Sequence, residues 1–125
     1  MIQWILLGIL IGLTTYIIAK QMITPKYLTE LSQEDFIKGY RKAQLIDVRE
    51  AHEFNGGHIL GARNIPMSQL RQRMNEIRPD QPVYLYCQSG NRTKQAATLL
   101  KKKRGCEDLY HLKGGFKKWT GKVKK

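Results

Sequence analysis

The densest chemistry in this chain lies in Cys87-Gln88-Ser89-Gly90-Asn91-Arg92-Thr93. The cysteine follows Val83-Tyr84-Leu85-Tyr86, which reads as a buried strand, and precedes a predicted helix from Thr93 to Lys103. The first N–H groups of a helix lack intrahelical partners and create a positive potential. A cysteine there is favoured as the thiolate, the nucleophilic form. Arg92 can fold back as a cation, and Gly90 allows the close turn that a cradle of N–H groups around an anion requires. The alternative, an inert core thiol, suits Gln88 to Thr93 poorly, because that run is polar and turn-prone.

Asp47 closes a second short apolar run, Gln44-Leu45-Ile46-Asp47-Val48, with Arg49 just beyond. Cys106 sits after Gly105 and is a candidate resolving cysteine for Cys87, or else a small core residue. His52, His58 and His111 are scattered, and neither cysteine has a partner at zinc-site spacing. No metal and no cofactor is expected. Two cysteines fit a reducing compartment.

These residues need elements to position them. Ser32-Gln33-Glu34-Asp35 resembles a capping box leading into Phe36, Ile37 and Tyr40. A helical turn follows from Glu50 to Phe54, then an extended piece from Ala62 to Ile65. Met67, Leu70, Met74 and Ile77 mark one face of an amphipathic helix from Met67 to Ile77. Gly105 is placed to close the helix after Cys87 in the left-handed conformation. A strand over Asp108 to Leu112, a Gly114-Gly115 turn and a terminal helix from Phe116 to Thr120 bearing Trp119 complete the chain. Strands alternating with helices predict an α/β fold, a mostly parallel sheet with helices on both faces. Ligands of such sheets sit outside the carboxy ends of the strands, which points to Asp47 and to the loop from Cys87.

Ahead of this domain, Ile2 to Ala19 are eighteen consecutive uncharged residues. As a helix they reach roughly 27 Å, close to the thickness of a bilayer core. The basic leader and cleavage site of a signal peptide are missing, and the polar stripe of a core helix is reduced to Gln3, Thr14, Thr15 and Tyr16. The segment reads as a single-pass anchor, with Trp4 and Tyr16 at the interfaces and with Lys20 and Lys26 placing the following domain in the cytosol. Gly8 and Gly12 form a small-xxx-small pair that can serve a helix dimer. The chain thus divides into an anchor (1–19), a tether (20–30), an α/β domain (31–121) and a basic tail (122–125).

The net charge of +12 falls entirely after the anchor. From Arg92 onward twelve Lys or Arg face only Glu107 and Asp108. Besides solvation, this excess suits an anionic membrane surface or the steering of anionic substrates. Nucleic acid is a poor fit, since no recognition motif or aromatic platform accompanies the lysines.

Four segments in order resemble a single-domain rhodanese of the sulfurtransferase family. They are Leu45 to Arg49; Gly57-His58-Ile59 with Gly61-Ala62 and Asn64-Ile65-Pro66; Cys87 to Thr93; and Leu112-Lys113-Gly114-Gly115 with Trp119. The resemblance covers about residues 31 to 120 and leaves the anchor unexplained. It implies that Cys87 takes a sulfane sulfur from thiosulfate or a persulfide donor and passes it to a thiol or cyanide. Gln88, Ser89, Gly90, Asn91 and Arg92 would bind the persulfide or donor, with Asp47 and Arg49 supporting the site or the fold and His58 structural. Related phosphatase and arsenate-reductase loops separate Cys and Arg by five residues, whereas four lie between Cys87 and Arg92. A sulfur carrier or protein-binding module with little turnover is the alternative.

Overall fold

The computed structural model describes residues 1–22, 27–89 and 92–125. A long helix, α1 (Ile2–Met22), is followed by β1 (Leu28–Leu31), α2 (Gln33–Gly39), β2 (Gln44–Asp47) and α3 (Ala51–Asn55). Then come two short strands, β3 (His58–Ile59) and β4 (Arg63–Asn64), with α4 (Leu70–Arg73), β5 (Val83–Tyr86), α5 (Arg92–Leu99), β6 (Leu109–Leu112) and β7 (Val123–Lys124). Five strands form one sheet in the order β1-β6-β5-β2-β4, all parallel, as the alternation of elements predicts. β3 and β7 pair antiparallel beside it.

Side chains alternate across the sheet and build two cores. Ile46, Val83, Leu85 and Leu109 pack on one face with Leu70 and Ile77 and with Ala96, Ala97 and Leu100 of the α5 segment. Leu45, Tyr86 and Leu112 pack on the other with Phe36, Tyr40 and the Phe116–Trp119 turn. Ser32 caps α2 by accepting the Asp35 N–H at 3.2 Å, and Gly105 closes the segment after α5 at φ 76°.

Three segments depart from the sequence reading. Residues 28–30, expected within the tether, belong with Leu31 to an edge strand paired with β6, and α1 takes in the tether's start as far as Met22; residues 23–26 of the expected tether lie outside the described residues. The amphipathic helix begins only at Leu70 and tightens into a 3-10 turn at Met74, because Arg73 leaves helical geometry at φ −117°. Phe116–Lys118 is a 3-10 turn that ends as Trp119 becomes extended, which frees Val123–Lys124 in the expected tail to pair with His58–Ile59.

α1 holds an apolar window, Ile2–Ala19, of mean hydropathy 2.0, long enough to cross a membrane and with none of it buried. It is not a core helix. The Thr14 and Thr15 hydroxyls each donate to the carbonyl four residues back, at 2.8 Å, so neither needs water.

Phe36 is fully buried, with ring neighbours Tyr40, Tyr84 and Trp119 at 5.1 to 6.1 Å. Phe36→Ala is therefore expected to cost about 3–5 kcal/mol in urea unfolding of the full chain, the usual range for emptying a packed aromatic site.

Candidate active site

Cys87 leaves the carboxy end of β5, the central strand, and is completely buried. Its carbonyl accepts the Phe116 N–H at 2.8 Å, and the Gln88 carbonyl accepts the Lys117 N–H at 3.1 Å. Gly115 makes this clamp feasible. It sits at φ 68°, and a Cβ there would lie 2.6 Å from both carbonyl oxygens. The Gly114-Gly115 turn thus fixes the start of the loop from outside it. Ser89 is exposed, Arg92 opens α5, and Gly90 and Asn91, expected to bind the persulfide or donor, lie outside the described residues.

Asp47 ends β2 beside β5, in register with Tyr86, and is fully buried with Arg49. The carboxylate accepts the Arg49 backbone N–H at 2.9 Å, Nε at 3.0 Å and Nη2 at 2.8 Å. Arg49 Nη2 also donates to the Gly57 carbonyl at 2.7 Å, and Nη1 to Gln88 Oε1 at 3.1 Å. The guanidinium carbon stands 4.3 Å from the Phe116 ring centre. Burial alone would lower the Arg49 pKa, but the bond and charge of Asp47 outweigh it and raise it. Burial first, and then the Asp47 charge, push the Tyr86 phenol up, and its oxygen accepts the Ile59 N–H at 3.0 Å. Asn64 Nδ2 donates to the Asp47 and Arg49 carbonyls, at 3.0 and 2.8 Å. Arg49 thus links the Asp47 carboxylate to Gln88, next to Cys87, and to Phe116, whose N–H binds the Cys87 carbonyl.

Arg92 has a partner that the sequence reading did not name: its Nη1 donates to Glu53 Oε1 at 2.8 Å. Glu53 holds the Arg92 charge most strongly and the Cys87 charge adds to it, while Arg92 lowers the Glu53 pKa in return. Glu53 is itself placed by α3, where Oε1 accepts the Glu50 N–H at 3.2 Å. The His58 ring stacks on Phe54 at 3.7 Å, and Nδ1 donates to the Phe54 carbonyl at 2.9 Å.

Sequence reasoning missed a further contact at the base of α5. The buried Thr93 hydroxyl shares a 2.8 Å hydrogen bond with Nδ1 of His111 on β6. His111 is 1% exposed; its Nε2 lies 3.3 Å from Glu30 Oε2 without hydrogen-bond alignment. Burial lowers the His111 pKa, Glu30 offsets part of this, and Lys94 lowers it further. Cys106 is free and buried, its thiol pushed up by burial and partly restored by Arg104.

The sequence matches the family described as Rhodanese-like domain over residues 24–122. It is 57% identical over 124 residues to the uncharacterized protein YqhL of Bacillus subtilis (strain 168), covering 99% of this chain and 98% of that one. It is 32% identical over 99 residues to the putative sulfur carrier protein YrkF of the same organism, covering 77% of this chain and 53% of that one. Thiosulfate sulfurtransferase GlpE of Shewanella oneidensis is 34% identical over 79 residues, 63% of this chain and 77% of that one. A rhodanese-related protein of Thermoplasma volcanium superposes with a TM-score of 0.69 at 25% identity, covering 77% of this chain and 97% of that one.

Two outcomes follow for the full chain. Asp47→Asn leaves the Arg49 charge buried without its counterion and is expected to cost about 3–5 kcal/mol in urea unfolding, with Arg49→Met restoring part of the loss in the double variant. The unfolded chain binds a proton at His111 near pH 6.5, above the folded value, so stability is expected to fall as pH drops from about 7 to 5. Urea midpoints across that range should show a shallower fall in His111→Gln.

Proposed function

Because the chain belongs to the rhodanese-like domain family, we propose that it is a sulfurtransferase carrying a sulfane sulfur on Cys87, tethered to the cytosolic face of a membrane by residues 1–19. The observation that carries this reading is Cys87 itself. It stands at the carboxy end of the central strand ahead of α5, and its own carbonyl oxygen and that of Gln88 are bonded to the Phe116 and Lys117 amides. The positive potential at the amino end of the following helix would favour a negative sulfur on Cys87.

The transfer runs in two displacements. With thiosulfate as donor, the Cys87 thiolate attacks the outer sulfur. A Cys87 S–S bond forms as the donor's S–S bond breaks, and the electron pair leaves on sulfite. The acceptor then attacks the outer sulfur of the persulfide. With cyanide, a C–S bond forms, the Cys87 S–S bond breaks, and the thiolate returns as thiocyanate departs. Neither displacement moves a proton, so Asp47 is free for its structural bond to Arg49. Arg92 sits at the rim, where an arriving anion competes with Glu53 for its guanidinium.

The reading of α1 as an anchor rests on its exposed apolar length, and the cytosolic orientation on Lys20 and Lys26 after it. A second reading, a sulfur carrier with little turnover, is favoured by the complete burial of Cys87 and by the likeness to a putative sulfur carrier protein.

Thiocyanate formation from thiosulfate and cyanide by the purified full chain separates these readings. Cys87→Ala is expected to lower the rate roughly a thousandfold or more. A rate unchanged by the substitution would sink the sulfurtransferase assignment; a Cys87 persulfide formed without thiocyanate turnover would establish the carrier.

A further inference from the structure

We propose that the end of the domain where the strands begin is a docking face for anionic lipid headgroups, with Lys101, Lys102 and Lys103 as its contacts. This rests on the reading of α1 as a membrane anchor. Helix α1 ends at Met22, and Tyr27 is the next described residue. The five steps of chain between them span at most about 18 Å. Tyr27 is fixed to the domain: its hydroxyl lies 2.6 Å from the Thr98 hydroxyl, and its ring packs against the core that includes Leu28. The register Leu28↔Leu109↔Val83↔Gln44 sets the starts of four strands level, so the chain enters the domain at their starting edge.

Helix α5 runs back to this same edge, and the turn after it, Leu100–Arg104, delivers the basic cluster there, just ahead of β6. Lys102 and Lys103 are exposed. Lys101 is half-exposed, 4.0 Å from the exposed Glu107, and Arg104 Nε is taken by the Ile77 carbonyl at 2.9 Å. Arg41 and Lys42 are exposed just before β2, and Arg78 is paired with Asp80. The acidic groups of this edge are Glu76, Asp80, Glu107 and Asp108, fewer than the seven basic ones, and Glu76 is paired with Arg73. Two lysines of the carboxy-terminal part lie away from this edge: the Lys117 N–H binds the Gln88 carbonyl, and Lys124 pairs with His58. Cys87 follows the opposite ends of the strands, so the same placement turns the sulfur site away from the bilayer and toward partners arriving from solution.

Reconstitution of the full chain in nanodiscs carrying a paramagnetic headgroup lipid tests this by amide NMR broadening. With phosphatidylglycerol present, the amides of residues 101–104 are expected to broaden at least about threefold more than those of Lys113 and Lys117, and the difference should shrink in phosphatidylcholine alone or in the triple variant K101E/K102E/K103E. Equal broadening at both edges, or broadening indifferent to lipid charge and to the triple variant, would overturn the proposal. An untouched basic turn would also overturn it and leave that turn to an acidic protein or nucleic acid. Failure of the chain to enter the disc would instead remove the anchor, and the docking face with it.

Discussion

The ion pair between Asp47 and Arg49 is the constraint on which the rest of the site depends. Two opposite charges excluded from water must satisfy each other and find polar partners for every remaining donor, or the fold loses several kcal/mol. Arg49 meets that demand by reaching outward from β2 to three other parts of the chain: the Gly57 carbonyl ahead of β3, the Gln88 side chain in the loop, and the Phe116 ring after β6. The electrostatic requirement of one buried arginine therefore fixes the relative positions of the segments around Cys87.

The loop is held independently from the backbone side. Phe116 and Lys117 bind the carbonyls of Cys87 and Gln88, and only a residue without a Cβ lets the two chains approach so closely at Gly115. Phe116 thus serves twice, through its N–H to the Cys87 carbonyl and through its ring to the Arg49 guanidinium. A packed parallel sheet places both supports at one edge, because β2, β5 and β6 end together there. Thr93 and His111 add a third tie, from the first turn of α5 to β6.

Local signals in the sequence were sufficient for much of this. Val83 to Tyr86 is apolar on both faces and could only be an interior strand, and Ser32 and Gly105 mark helix ends by chemistry that acts within a few residues. What was not legible depends on distant partners. β1 exposes Thr29 and Glu30 and resembles a tether until β6 lies beside it; β7 is one valine and one lysine in a lysine-rich stretch, and its strand character comes from His58 and Ile59. Arg92 had a plausible role beside the sulfur from spacing alone, but its bond to Glu53 crosses 39 residues and follows from where α3 sets that carboxylate. The contacts from Thr93 to His111 and from Gln88 to Arg49 are of the same kind.

Membership of the rhodanese-like family and the geometry around Cys87 are the grounds for the central proposal, that this sulfur carries a second sulfur in the cell. Mass spectrometry of the Cys87 peptide from chain isolated under thiol-blocking conditions addresses that statement without assuming a donor. The account predicts one added sulfur on Cys87, removed by cyanide before blocking and absent from Cys106. A Cys87 that remains an unmodified thiol, in cells and after exposure to sulfane donors, would contradict it.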